Sequence, residues 1–86
     1  MEKDFLDLNI FWSPAMGKKQ FKGRVAAISC QNNLGDFDVL PGHINFITLI
    51  FKKITIHFPN KEKISHDFSR GVLEVSENRV NVFLGF

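Results

Sequence analysis

The chain has 86 residues, 44% of them hydrophobic and 23% charged, and a formal net charge of +2. A chain of this length holds one domain (residues 1–86) around one modest core, since it buries only about 60% of the surface it exposes when unfolded, and a deep catalytic pocket has little room to form. The composition excludes disorder, and the basic residues are scattered rather than gathered in a block, which argues against a basic arm for nucleic acid or membrane.

Along the chain, the opening Met-Glu-Lys-Asp is acidic where a secretory leader needs an apolar core, so none is predicted. Leu6, Leu8, Ile10 and Trp12 then alternate with Asp7, Asn9 and Phe11, the period of a half-buried strand. Pro14 and Gly17 break that pattern. Arg24–Cys30 reads as a second strand, with Val25, Ala27 and Ser29 on one side and Ala26, Ile28 and Cys30 on the other. Cys30 is the single cysteine, so no intramolecular disulfide forms and a cytosolic setting fits. A polar loop over Gln31–Asp36 leads into a short extended piece ending at Leu40. Leu40-Pro41-Gly42-His43 is a turn: proline presets φ at its second position and glycine supplies the positive φ that a type II turn needs at its third.

Ile44–Phe51 is apolar on both faces and β-branched, as in a central strand, and is far shorter than the roughly 20 apolar residues that cross a bilayer. Ile54, Ile56 and Phe58 form another alternating run, closed by Pro59-Asn60, and Ile64, His66 and Phe68 form the next. Gly71 marks a bulge or a close backbone approach. Val72–Val75 and Val80–Leu84 form a hairpin about Ser76–Arg79, where Asn78 tolerates a left-handed conformation. The whole reads as a small all-β domain, an antiparallel β-sandwich, with no helix of any length. The Phe residues fall mainly on alternating strand positions, as core residues do.

No constellation points to chemistry. His43, His57 and His66 lack zinc spacing, and with one cysteine there is no partner set for a metal. Asp36 and Asp38 lack the further oxygen ligands of a calcium loop and have no sugar-sized cleft. Cys30 with His43 lacks a third, orienting group and reads as a packed thiol. The glycines make neither GxGxxG nor a phosphate loop. No catalytic residue, cofactor or metal is assigned.

Three motifs in register carry a family resemblance. Gly35-Asp36-Phe37-Asp38-Val39-Leu40-Pro41-Gly42-His43 resembles the hallmark of the ATP synthase epsilon subunit, with Thr48 following where that family often has Thr. Phe21-Lys22-Gly23-Arg24-Val25 looks like its Phe-x-Gly-x-Val. Gly71-Val72-Leu73-Glu74-Val75 and Asn78-Arg79-Val80-Asn81-Val82 look like its Gly-x-Leu-Glu-Val and Asn-x-Val-Thr-Val. The departures are Asp38 for a usual Gly, Asn45 for a frequent Pro, Arg70 for a common Gly, Lys52-Lys53 in place of a Pro-Gly turn, and a slightly longer Ser13–Gln20 connection. The family also continues into a C-terminal pair of helices, whereas this sequence stops at Phe86, as a naturally short or a truncated chain would.

The resemblance implies the N-terminal β-sandwich of an epsilon subunit. This is a non-catalytic part of the central stalk that binds the gamma subunit and rests on the ring of c subunits, on the cytoplasmic face of the membrane and touching it only through the complex. It implies Leu34, Gly35 and Asp36 as ring-facing residues and Ser13, His43 and Thr48 as gamma-facing ones. Its role is to pass torque between ion flow and ATP synthesis without a cofactor. Other readings of the residues are a free-standing sandwich adaptor, a small nucleic-acid-binding barrel and an enzyme with a shallow site.

Overall fold

The computed structural model describes residues 5–43 and 45–86. The expectations placed on Met1–Asp4 and on Ile44 lie outside these. Seven strands follow in order: β1 Leu6–Trp12, β2 Phe21–Val25, β3 Ala27–Asn32, β4 Gly35–Val39, β5 Phe46–His57, β6 Lys63–Ser76 and β7 Arg79–Leu84. A single 3-10 turn, Pro14–Met16, lies between β1 and β2, and the described residues contain no α-helix.

The strands join edge to edge as β2-β1-β7-β6-β5-β3-β4. All neighbours are antiparallel except β1 and β7, the first and last strands, which run parallel from Asp7↔Arg79 to Trp12↔Leu84. Each strand buries one face, and with no helix among the described residues to cover those faces the sheet covers itself. It does so by folding into two layers. Side chains meet across the fold between strands that share no hydrogen bonds: Trp12 of β1 with His66 of β6, Phe21 of β2 with Phe58 beyond β5, Phe37 of β4 with Phe46 of β5. This is the predicted sandwich, built from one mixed sheet.

Two corners make the fold. At the first, Ala26 interrupts what the sequence presents as one run: its N–H donates to the His57 carbonyl at 2.7 Å, and the buried positions pass from Val25 to Ile28 and Cys30. The expected Arg24–Cys30 strand is therefore two strands in different layers, and Val25 does not share a face with Ser29. Two adjacent alanines are small enough to allow the bend. At the second corner the β5–β6 register skips Ser69, between Phe51↔Arg70 and Lys52↔Phe68, and Lys52 takes a left-handed φ of 74°. The extra residue shifts the buried set of β6 from Phe68 to Gly71, Leu73 and Val75. Such a bulge bends a long hairpin without ending it. The two runs expected on either side of Lys52-Lys53 are thus joined in the one strand Phe46–His57, and those at 64–68 and 72–75 in the one strand Lys63–Ser76.

Gly71 is where backbone approaches backbone. A methyl group there would lie 2.5 Å from the Phe83 carbonyl oxygen and 2.7 Å from Leu84 Cδ2. The expected turns form: His43 N–H donates to the Leu40 carbonyl at 3.1 Å with Gly42 at φ 85°, and Glu77 and Asn78 sit at φ 53° and 61° in a two-residue hairpin.

The core is aliphatic. Leu6, Leu8, Ile10, Val25, Ile28, Val39, Ile50, Leu73, Val80, Val82 and Leu84 have no exposed surface, each burial of a large aliphatic side chain contributing about 1.5–3 kcal/mol. The expectation of a phenylalanine core is corrected here. Of the phenylalanines Phe68 alone is buried, and Phe21, Phe37, Phe46 and Phe58 pack on the core's margin.

Candidate functional site

Among the described residues no group of three or more His, Cys, Asp or Glu is placed to hold a metal ion. Cys30 is buried, and that burial, helped by the charge of Asp38, pushes its thiol up to about 12, which keeps it protonated and inert. One arrangement escapes a reading of the sequence. Ser29 Oγ donates to Asp38 Oδ1 at 2.7 Å and lies 2.8 Å from His57 Nε2. The three come from β3, β4 and β5, and their proximity depends on a cross-strand register that no single segment reveals. The order is Asp–Ser–His. The carboxylate here meets the serine, whereas in a Ser-His-Asp triad it orients the imidazole. The trio ties three strands together.

At one end of the sandwich the turns are laced to one another. Asn78 Oδ1 accepts from the Gly42 N–H at 2.8 Å. Asn45 Oδ1 accepts from the Glu77 N–H at 3.0 Å, and the Asn45 amide donates back to Glu77 Oε2 at 3.4 Å. His43 lies against Phe46 with ring centroids 4.8 Å apart, and Phe46 in turn meets Phe37 of β4. The Asn32 amide donates to Thr48 Oγ1 at 3.3 Å, while its own carbonyl oxygen accepts from the Leu34 N–H at 2.9 Å.

These contacts bring Leu34, Gly35, Asp36, His43 and Thr48 to one region. Leu34 stands at the tip of the β3–β4 hairpin with 90% of its surface exposed, a large apolar side chain aimed at solvent, and Asp36 beside it is exposed as well. Ser13 is not part of this cluster. It follows β1 at the opposite end of the sheet, where its N–H donates to the Leu84 carbonyl at 2.8 Å and its carbonyl accepts from the Met16 N–H at 2.9 Å.

A second surface, on the outer face of the sheet, was missed because phenylalanines were assigned to the core. Leu49, Val72, Phe83 and Phe11 are directly opposite one another across β5, β6, β7 and β1. Phe11 and Phe83 stack with centroids 5.1 Å apart at 14°, and Phe86 meets Phe83 edge-on at 6.5 Å. Leu49 is 56% exposed, Ile47 67%, Phe83 37% and Phe86 59%. The available signal was parity: Phe11 alternates with Leu8, Ile10 and Trp12, and Phe83 with Val80, Val82 and Leu84, so both point away from the core. The next rung is polar, with Asn9 donating to Asn81 and Asn81 to Glu74 at 3.4 and 3.3 Å. A continuous exposed apolar row of this kind is the sort of surface that interaction sites present. It suits nucleic acid poorly, because the faces of Phe11 and Phe83 are turned to each other instead of being offered to a base.

No helix of the described residues is long and apolar enough to cross a membrane. No curated protein sequence gives a significant match. Two solved structures share the fold: a chain of the Euglena gracilis mitochondrial ATP synthase OSCP/F1/c-ring assembly, with TM-score 0.83 and 19% identity over 94% of this chain, and a chain of the Tetrahymena thermophila mitochondrial ATP synthase central stalk and c-ring, with TM-score 0.73 and 10% identity over 98%. This chain spans 51% of the length of the first and 66% of the second. With the corner-folded sandwich, the Pro41-Gly42 turn and the close approach at Gly71 in place, the family profile of the ATP synthase Delta/Epsilon chain β-sandwich domain matches residues 15–84, and the chain belongs to that family.

Proposed function

We propose that the chain is a non-catalytic central-stalk component of a rotary ATP synthase, binding the gamma subunit and the ring of c subunits and so joining ion translocation to ATP synthesis. Family membership across residues 15–84 carries this reading. Two surfaces support it. The hairpin tip with Leu34, Gly35 and Asp36 offers one exposed apolar side chain and one carboxylate to the polar loops of the ring. The apolar row Leu49–Val72–Phe83–Phe11 offers a broad contact to gamma, and Ser13 lies just past the end of β1. His43 and Thr48 lie beside the hairpin, where gamma reaches them by wrapping that end.

The mechanism is mechanical. A sheet whose turns are cross-linked by Asn45 and Asn78 resists deformation, so a force applied at the hairpin is passed on through the sheet to the outer face. No bond is made and no cofactor is needed. The complex holds the chain at the cytoplasmic face of the membrane without its entering the bilayer.

Co-expression with the gamma subunit of the same source, followed by size exclusion, tests the reading. A one-to-one complex is expected, with Leu49→Glu and Phe83→Glu each weakening it at least tenfold by placing a charge in a buried apolar contact. Leu34→Asp should leave the gamma complex intact and reduce capture by the assembled ring. Separate elution of this chain and a well-folded gamma would overturn the assignment.

A further inference from the structure

On the outer face of the sheet three rungs lie side by side. The first sets Phe51 of β5 opposite Arg70 of β6, the second holds Leu49, Val72, Phe83 and Phe11, and the third Ile47, Glu74, Asn81 and Asn9. Arg70, Val72 and Glu74 share this face because Gly71, Leu73 and Val75 between and beyond them are buried. Arg70 and Glu74 stand four residues apart, roughly 13 Å at the rise of a strand. The apolar row is therefore bordered by a cation on one side and a carboxylate on the other. Arg70 is exposed and makes no ion pair among the described residues, whereas Glu74 is half-buried and accepts from the Asn81 amide at 3.3 Å. The row is not flat. Leu49, Arg70, Gly71, Val72, Phe83 and Phe86 line an open hollow of about 180 Å³, with Arg70 the one charged group among them. An apolar space of roughly 150 Å³ takes a benzene ring, so this hollow admits one phenyl-sized side chain.

We propose that the hollow receives an amphipathic helix of a partner protein, which sets a phenylalanine or leucine side chain into it and a carboxylate, one turn away, against Arg70. The inference rests on the stalk reading for its partner and narrows what that partner presents to this face. The strands beneath, β6, β7 and β1, are paired on both sides. They offer side chains and no free backbone, so the occupant must satisfy its own N–H and C=O groups, as a helix does and an extended segment does not. Helical side chains at i and i+4 have Cβ atoms about 5–6 Å apart, close to the roughly 6.6 Å between Arg70 and Val72 along β6. An acid at i and an apolar residue at i+4 thus meet Arg70 and the hollow together, and the guanidinium fork suits a carboxylate. A base at i+8, about 12 Å further along the helix, comes to Glu74. The opposed charges at the two borders fix which end of the helix lies at which rung. A second copy of the chain meeting about the hollow would set concave surface on concave surface and leave both unfilled. A nucleic acid would find one cation beside the row and a carboxylate facing it from the other border.

The test uses the whole chain with a capped, alanine-rich helical peptide of about 20 residues that carries glutamate, phenylalanine and lysine at i, i+4 and i+8. Two comparison peptides replace the phenylalanine by alanine or the glutamate by lysine. Methyl and backbone NMR should show shifts at Leu49, Arg70 and Val72 with the first peptide, and each comparison peptide should bind about tenfold more weakly. The Arg70→Glu variant, whose side chain is exposed and whose folding is checked by circular dichroism, should bind the first peptide about tenfold more weakly and accept the glutamate-to-lysine peptide in its place. The proposal fails if the first peptide does not bind at millimolar concentration, if Arg70→Glu binds it unchanged, or if the shifts lie away from the hollow. It also fails if sedimentation shows the chain pairing with itself and Leu49→Glu restores the monomer, which would make the occupant a second copy. Gamma captured equally by the parent and by Arg70→Glu would overturn this inference and leave the stalk reading standing. Peptide binding as expected without any gamma complex would overturn the stalk reading and uphold the helix site.

Discussion

Replacing Gly71 by alanine places a methyl group 2.5 Å from the Phe83 carbonyl oxygen and 2.7 Å from Leu84 Cδ2. The first of these atoms is backbone, so β7 must move away from β6 at the Gly71↔Leu84 pair. Forcing one methyl into a packed sheet costs about 1–3 kcal/mol, and a stretched ladder hydrogen bond about 1 kcal/mol more. The alanine recovers roughly 0.4–1 kcal/mol by restricting the unfolded chain. The net loss is about 1–3.5 kcal/mol, which for a domain of this size lowers Tm by roughly 5–25 °C. Thermal unfolding followed by circular dichroism reads it directly. Gly23→Ala is the control: its methyl would meet only the tip of the Phe21 ring at 3.2 Å, and a ring can swing aside, so its Tm should stay within about 3 °C of the parent. A Gly71→Ala protein melting with the parent would show that β6 and β7 are not locked at this point, and would refute the reasoning.

Three further outcomes are expected. Asn78→Ala should lose about 2 kcal/mol, one part from the Gly42 hydrogen bond and one from a left-handed φ of 61° without a compensating side chain. Asn78→Gly should lose about half as much, and urea titration of both separates the two terms. Burial, reinforced by Lys18 and opposed by Asp67, holds His66 below its usual range. The folded state therefore favours the neutral ring, and stability is full above about pH 6.5 and declines as pH falls through that value and the unfolded chain takes up the proton first. His66→Gln should flatten this part of the stability–pH curve. For Cys30, the rise from 9.0 to about 12 corresponds to a factor of about a thousand in thiolate. Iodoacetamide at pH 8 should leave the folded protein unmodified over times that label it fully in urea, and rapid labelling of the native chain would contradict the buried placement.

Much of the fold was legible because its strands are short-period and amphipathic. Leu6, Leu8, Ile10 and Trp12 all point inward as their spacing requires, and the Leu40–His43 and Glu77–Asn78 turns form where glycine and asparagine permit positive φ. What escaped were properties of pairs. The bend at Ala26 is set by a hydrogen bond to His57, thirty-one positions away in the chain (57 − 26 = 31), and the skipped Ser69 is visible only once β6 is laid against β5. The apolar row is similar: parity gives the outward direction of Phe11 and Phe83, but their stacking depends on β1 lying parallel to β7. The hairpin Leu34–Asp36 and its neighbours His43 and Thr48 came from family resemblance, and the structure adds the bonds through Asn32 and Phe46 that bring them together, while leaving Ser13 at the far end.

The parallel pairing of the first and last strands also bears on how the chain is made. Asn9 and Asn81, joined across β1 and β7, are 72 positions apart. During synthesis at about 5–20 residues per second, β1 waits roughly 4–14 s before β7 exists to receive it. Through that interval Leu6, Leu8, Ile10 and Trp12 have only β2 beside them, and β2 keeps its charged face outward. The long β5–β6 hairpin can close earlier, because its partners are close in sequence, and it then provides the template on which β7 and finally β1 zip into place. A released chain ending just before Arg79 should therefore show a protease-resistant β5–β6 hairpin and a β1 still open to cleavage.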